Sequence, residues 1–162
     1  MKQQSEKNRK KEQLKEYLNQ YYTGRIMRTQ LERRLKNIRD EMNAPIGGHG
    51  YDPVNVKNTK EAGPGAASFV YRLSEIETRI ENQKTQVEKS LLKVMDILDF
   101  LEEGSTERMI LELRFIDGRS WAEIEKEMHL CRRACFSYQN KGLEKLLGFK
   151  KVETLLKRQE KD

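Results

Sequence analysis

Between residues 129 and 151 the chain carries six lysines and arginines against one acid, Glu144, a sharper imbalance than its overall net charge of +6. Arg132, Arg133, Phe136, Ser137, Asn140 and Lys141 fall in this stretch. Their types share one chemistry. Arginine donates a pair of bonds to guanine, asparagine both donates to and accepts from adenine, and serine serves either base; an aromatic ring meets the thymine methyl, and lysine attracts phosphate. On a helix turning about 100° per residue, Cys135, Tyr138, Gly142 and Leu146 cluster on one side. Arg133, Ser137 and Asn140 then lie opposite them, with Phe136 and Lys141 to either side and Arg132 at the margin.

The start of this segment is electrostatically unusual. A helix N-terminus disfavours cations by roughly 0.3–1 kcal/mol each, yet Arg132 and Arg133 occupy the first turn expected here. Cys131 also stands where Ser, Thr, Asp or Asn would stabilise the helix by about 0.5–2 kcal/mol. Local stability is given up at the tip that would approach a polyanion. Arg119 and Ser120, just before the preceding helical segment, complete the candidate DNA-contact set. The competing interpretation is a helical hairpin with a solvated basic face.

Other chemistries find less support. His129, Cys131 and Cys135 are close in sequence, but a structural zinc site needs four ligands and no fourth is in register, so no metal is expected. His49 in Gly47-Gly48-His49-Gly50 lacks the strand, lysine and hydroxyl of a phosphate loop. No nucleophile and base pair is legible, so neither an enzyme nor a cofactor is expected.

Three helical segments would position the basic face: Thr106–Ile116, Trp121–Met128 and Arg132–Leu147. Ser105 is placed to cap the first, Asp117-Gly118 is a turn dipeptide, and Ser120 with Glu123 forms the capping-box pattern that opens the second. Only His129, Leu130 and Cys131 separate the second from the third, the spacing of a helix-turn-helix. The final stretch, 151–162, holds Val152, Leu155 and Leu156, enough for a short docking helix.

The first two thirds of the chain are built differently. Leu14, Leu18, Tyr21, Met27, Leu31, Leu35, Ile38 and Met42 recur at helical spacing and predict a helix over Glu6–Asn43, with a stumble near Gly24 and Arg25 where the helix bends or changes partner. Its basic start, from Lys2 to Lys11, reads as a solvated helix tip. Residues 44–66 hold all three prolines and predict a long loop, a type usually functional or disordered. A cleaner heptad follows through Phe69, Leu73, Ile76, Ile80, Gln83, Val87, Ser90, Val94, Ile97 and Leu101, predicting a second helix over 67–103. Two matched helices and a loop suggest a long antiparallel hairpin over 1–104. Leu91 and Leu98 widen its apolar stripe, so it is expected to join a second chain as well as itself.

Composition sets the outer bounds. Only 36% of residues are hydrophobic; exchanging the six tyrosines for the ten glycines in that count leaves it below the roughly 45–50% of a typical domain. This favours elongated elements over a catalytic α/β domain. The longest uncharged runs, Met42–Tyr51 and Ala62–Tyr71, fall well short of the ~20 residues that span a bilayer, so no membrane partner is expected. Two cysteines form no disulfide framework, which points to a reducing cytoplasm. Charge is segregated: residues 1–43 hold 12 basic and 6 acidic residues, 44–104 hold 7 and 10, and 105–162 hold 13 and 10.

Residues 107–147 resemble the C-terminal DNA-binding domain of bacterial sigma factors, region four. The likeness rests on Arg114-Phe115, the capped helix at Ser120, the short turn, and the run Gly142, Leu143, Glu144, Lys145, Leu146, which stands for that family's alanine-leucine-x-lysine-leucine. It implies base or phosphate contacts at Arg132, Arg133, Phe136 and Ser137 and a phosphate contact at Lys141. Cys131 replaces the usual Thr or Ser, and Phe136 replaces a basic residue, so recognition of the ordinary −35 promoter element does not carry over. The whole chain, with its Leu113-Arg114-Phe115, Asp117-Gly118, Ser120-Trp121 and Glu123-Ile124 signature, is similar to phage and prophage transcriptional regulators of the RinA and ArpU type. That likeness implies an activator of late or packaging genes that works on duplex DNA beside host RNA polymerase.

The expectation is thus an all-α protein. A hairpin over 1–104 forms a homo-oligomer, a helix-turn-helix over 105–150 binds double-stranded DNA, and a tail completes the chain. Two alternatives are a small sigma-like factor that binds polymerase directly and a helical packaging adaptor. The first would need exposed aromatics to melt DNA, and the nearest group, Tyr17, Tyr21 and Tyr22, falls largely on the helix seam. In the second, the DNA-binding part usually comes first.

Overall fold

The structure, a computed structural model, describes residues 2–43 and 66–159. Every regular element among them is a helix: α1 (Lys2–Asn43), α2 (Ala66–Leu98), α3 (Thr106–Phe115), α4 (Trp121–Met128), α5 (Arg132–Leu147) and α6 (Lys150–Gln159). The described chain is all-α, and no helix in it is long and apolar enough to cross a membrane. The loop expected at 44–66, His49 included, lies outside the described residues except for Ala66, which opens α2. The residues fall into two compact units, one of Met1–Arg25 with Gln86–Asp162 and one of Ile26–Thr85.

The first unit is organised by a single apolar core. Leu14, Tyr17 and Leu18 of α1 and Val94, Ile97 and Leu98 of α2 pack with Leu111 and Phe115 of α3, Leu143 and Leu146 of α5, and Val152 and Leu156 of α6. A satellite cluster of Ile110, Leu113, Ile124 and Cys135, edged by Trp121, Met128, Leu130 and Tyr138, ties α3, α4 and α5 together. The domain boundary expected after residue 104 therefore falls inside this unit. α3, α5 and α6 bury their apolar faces against the outer ends of α1 and α2, α6 through Val152 and Leu156, and α4 joins through the satellite cluster at Ile124.

Local chemistry explains where these helices stop. α2 ends at Leu98, short of the expected 103, with tight turns carrying the chain to Leu101 (Phe100 N–H to Ile97 O, 3.2 Å; Leu101 N–H to Leu98 O, 2.9 Å). Arg108 takes over the freed acceptors. Its Nη1 donates to Leu101 O at 3.4 Å and its Nη2 pairs with Asp99 at 2.7 Å, while Nε pairs with Glu112 at 2.7 Å. Ser105 caps α3 by accepting from Arg108 N–H. Ser120 and Glu123 form a reciprocal capping box on α4, and α4 ends at His129 in the left-handed region (φ 53°).

Two glycines are required by their surroundings. Gly118 adopts φ +69°, and a Cβ there would sit 2.5 Å from the Tyr22 ring of α1. Gly142 lets α5 approach α3 closely, since a Cβ would meet Leu111 Cδ1 at 2.9 Å. Tyr22 is thereby committed to packing on the α3–α4 turn, although its side chain is 36% exposed.

The second unit holds the remaining stretches of α1 and α2. They run in opposite directions: Arg39 Nη2 pairs with Glu77 Oε1 at 2.8 Å, and Arg72 Nη2 lies 3.7 Å from Glu41 Oε2. Of its seam residues only Ile38 is buried, while Leu31, Leu35, Phe69, Leu73, Ile76 and Ile80 are half-buried.

Along α1 itself the low-exposure positions after Leu18 are Gln20, Tyr21, Gly24, Arg28, Leu31, Leu35 and Ile38, which from Tyr21 onward keep steps of three or four residues. Met27 and Met42, expected on the seam, are exposed, at 52% and 42%. The apparent stumble arises because the low-exposure positions there are held by Gly24 and Arg28 rather than by apolar side chains, and Arg28 Nε lies 3.3 Å from Glu32 Oε1. On α2 and the turn that follows it, every expected seam residue from Phe69 to Leu101 is half-buried or buried.

Candidate nucleic-acid interface

The basic surface is built on α5, held from beneath by α3 and α4. Cys135, Gln139, Gly142, Leu143 and Leu146 form its buried side. Arg133, Ser137 and Asn140 are exposed on the opposite side, and none has a hydrogen bond or ion pair among the described residues. Arg132, Phe136 and Lys141 are exposed beside them. A surface helix about 10–12 Å across matches the ≈ 12 Å width of the DNA major groove.

Each flanking residue is differently engaged. Arg132 Nε pairs with Glu125 Oε1 at 2.5 Å yet keeps 61% of its side chain in solvent. Lys141 Nζ lies over the Tyr138 ring, 5.1 Å from its centroid. The Phe136 ring packs against Trp121 at a tilt of 38°, with centroids 4.3 Å apart, and the Trp121 ring in turn receives the Arg114 guanidinium at 5.3 Å. Arg114 also donates to Arg119 O at 2.9 Å. This column of guanidinium, indole and phenyl groups fixes the α3–α4 turn and holds Phe136 at the N-terminal half of α5. Arg114 and Trp121 sit seven residues apart in sequence, but the spacing by itself reveals no such packing.

Arg119 and Ser120 are placed less freely. The Ser120 hydroxyl accepts from Glu123 N–H at 3.3 Å and donates to Glu123 Oε2 at 2.8 Å, and its own N–H donates to the same oxygen at 2.7 Å. Its bonding capacity goes to starting α4. These bonds, led by the one from the Ser120 backbone, hold the Glu123 carboxyl below the usual glutamate range. Arg119 is exposed and lies 3.5 Å from Glu123 Oε1.

The N-cap of α5 is as weak as its sequence suggests: Cys131 is exposed and makes no side-chain cap bond. Cys135 is fully buried, and that burial pushes its thiol pKa up. No group of three or more His, Cys, Asp or Glu side chains able to hold a metal occurs among the described residues.

Within the basic start of α1, Lys7, Lys10 and Lys11 are not simply solvated. Lys11 and Lys7 reach Glu144 Oε1 on α5 at 2.7 and 3.3 Å, and Lys10 reaches Glu153 of α6 at 3.2 Å. Glu144 is the sole acid of the basic stretch and lies about two helical turns beyond Ser137. Hydrogen bonds from Lys11 and then Lys7 hold its carboxyl below the usual range, so it stays ionised and compensated. The cluster leaves a net positive charge at the C-terminal end of the exposed face. Sequence patterning gave no sign of it, because the partners are more than 130 residues apart.

No family model, curated protein or solved structure matches the chain.

Proposed function

We propose that this protein is a sequence-specific double-stranded DNA-binding transcriptional regulator of the RinA and ArpU type. In this proposal α4 and α5 form a helix-turn-helix, α1 and α2 form a long antiparallel hairpin that associates with other copies, and the chain activates phage late or packaging genes in the host cytoplasm beside RNA polymerase. The observation that carries it is the exposed side of α5. Arg133, Ser137 and Asn140 stand together in solvent without partners among the described residues, and all three types can bond base edges. Arg132, Lys141 and Arg119 around them suit phosphate contacts, which position a protein on the duplex without reading its sequence. Ser120 acts mainly by fixing α4. Two copies would read half-sites spaced by about 10 base pairs or a multiple of that.

The test is selection of bound sequences from a random duplex pool at physiological salt, followed by titration of the enriched site. An enriched motif is expected. Arg133→Ala should weaken binding by roughly 1–3 kcal/mol and relax one base position, whereas Lys141→Ala should weaken all sequences evenly and lower the salt slope by about one. Absence of enrichment, or equal losses on selected and random DNA for both variants, overturns the proposal.

A further inference from the structure

One buried polar side chain of the first unit is left without a partner. Gln139 of α5 is only 5% exposed, and its amide makes no hydrogen bond among the described residues. A packed amide is ordinarily bonded, because its donor and its acceptor both lose water on burial. Gln139 is not sealed in the core either. It lines an open cavity of about 340 Å³ between α1, α3, α4 and α5, at the small end of the roughly 300–1,000 Å³ range of small-molecule sites. Trp121 and Phe136 form the aromatic side of this cavity. Phe136 is 39% exposed and precedes Gln139 by three residues, a spacing that makes the two side chains neighbours on the helix. The cations of the lining are already engaged: Lys15 pairs with Glu12 at 2.7 Å, and Arg114 lies over the Trp121 ring and donates to Arg119 O. Glu16 and Asn19 are exposed, and Glu16 has no ion pair among the described residues.

We propose that this cavity binds a neutral nucleoside with an adenine-type base, its ring laid on Phe136 and one edge paired with the Gln139 amide. Each observation selects part of that ligand. The exposed Phe136 ring calls for a flat, aromatic partner, and base stacking on such a ring is general to all bases. The amide then does the choosing: it presents a donor beside an acceptor, and the complement is an acceptor beside a donor, as at N7 and N6 of adenine. Glu16, the lining charge without a partner, accepts from a ribose hydroxyl and repels a phosphate. With Lys15 and Arg114 engaged elsewhere, no cation is left to offset that repulsion. The site uses none of Arg133, Ser137 and Asn140, so it goes beyond the proposed function and stands or falls apart from it.

Trp121, the chain's only tryptophan, lines the cavity and reports its occupancy. Titration of the full chain with adenosine should change the Trp121 emission saturably. Purine riboside keeps the ring and the ribose but lacks the N6 donor, and it should bind on the order of tenfold or more weaker, since the Gln139 carbonyl then stays unpaired. Gln139→Leu fills the same buried position without an amide and should weaken adenosine by a similar factor while leaving purine riboside little changed. Adenosine monophosphate and a single-stranded oligodeoxyadenylate distinguish a free nucleoside from a phosphate-bearing one, and neither should bind more tightly than adenosine. No saturable response to adenosine, equal binding of adenosine and purine riboside, or tighter binding of either phosphate-bearing probe overturns the proposal. Should Gln139→Leu lose helicity by circular dichroism, the comparison of adenosine with purine riboside on the wild-type chain decides alone. Failure here leaves selection from the duplex pool unaffected, and failure of that selection leaves this titration unaffected.

Discussion

The same two helices, α1 and α2, run through both units, and they are packed very differently in each. In the first unit Leu14, Leu18, Val94 and Leu98 are 0% exposed, because α3, α5 and α6 close over them. In the second unit the corresponding seam residues are mostly half-buried, because a helix has only its one neighbour. A heptad pattern is therefore a statement about which face is apolar, and the number of surrounding elements decides how far that face leaves water. Burial of a leucine side chain contributes roughly 1.5–3 kcal/mol when complete, so the first unit draws far more stability from each seam residue.

The largest test of this contrast is a pair of truncations. Leu18→Ala should destabilise the first unit by about 2–5 kcal/mol, as a buried core leucine does. Leu35→Ala should cost about 1 kcal/mol in a dilute sample, since much of that side chain is already in water. Urea titration followed by the fluorescence of Trp121, the chain's only tryptophan, reports the first; backbone circular dichroism reports both. Equal losses would erase the distinction between the units.

Next in size, Gly118→Ala should cost about 1–3 kcal/mol, combining a left-handed backbone with a methyl driven into the Tyr22 ring. The Trp121 transition should move with it, since the α3–α4 turn is where α1 closes the first unit. A neutral result would mean that Tyr22 shifts freely and that α1 is held by the apolar core alone.

Ser120→Ala should cost about 0.5–2 kcal/mol through loss of the α4 cap. It should reduce DNA affinity no more than its effect on folding accounts for. A large and sequence-dependent loss of binding would restore Ser120 as a direct contact.

The smallest effect concerns the ionic links of α1. Hydrogen bonds from lysines hold the carboxyls of Glu144 and Glu153 below the usual glutamate range, the first toward Lys11 and the second toward Lys10. A carboxylate with a depressed folded pKa stabilises the fold above its unfolded value near 4.3 and loses that contribution as pH falls through the folded value. Acid melts monitored at Trp121 should thus show a decline below about pH 4.3 that is weaker in Glu144→Gln. High salt should diminish the difference, because both carboxylates are partly exposed. Identical acid profiles would mean that these pairs do not hold α1 to α5 and α6.

The sequence by itself determined the helices and their faces. Ser105, Ser120 and Gly118 mark ends through local hydrogen bonding and backbone freedom, and the apolar rhythm from Phe69 to Leu101 names the buried side of α2 without any tertiary information. The same holds for α5, whose wheel puts Arg133, Ser137 and Asn140 opposite Cys135. Only the tertiary structure decided that Lys7 and Lys11 meet Glu144, that Arg114, Trp121 and Phe136 pack together, and that α1 and α6 share a core with α3 and α5. The physical reason is range: caps and periodicity act within a few residues of the chain, whereas these contacts join residues whose proximity depends on how whole helices pack, which no local pattern encodes.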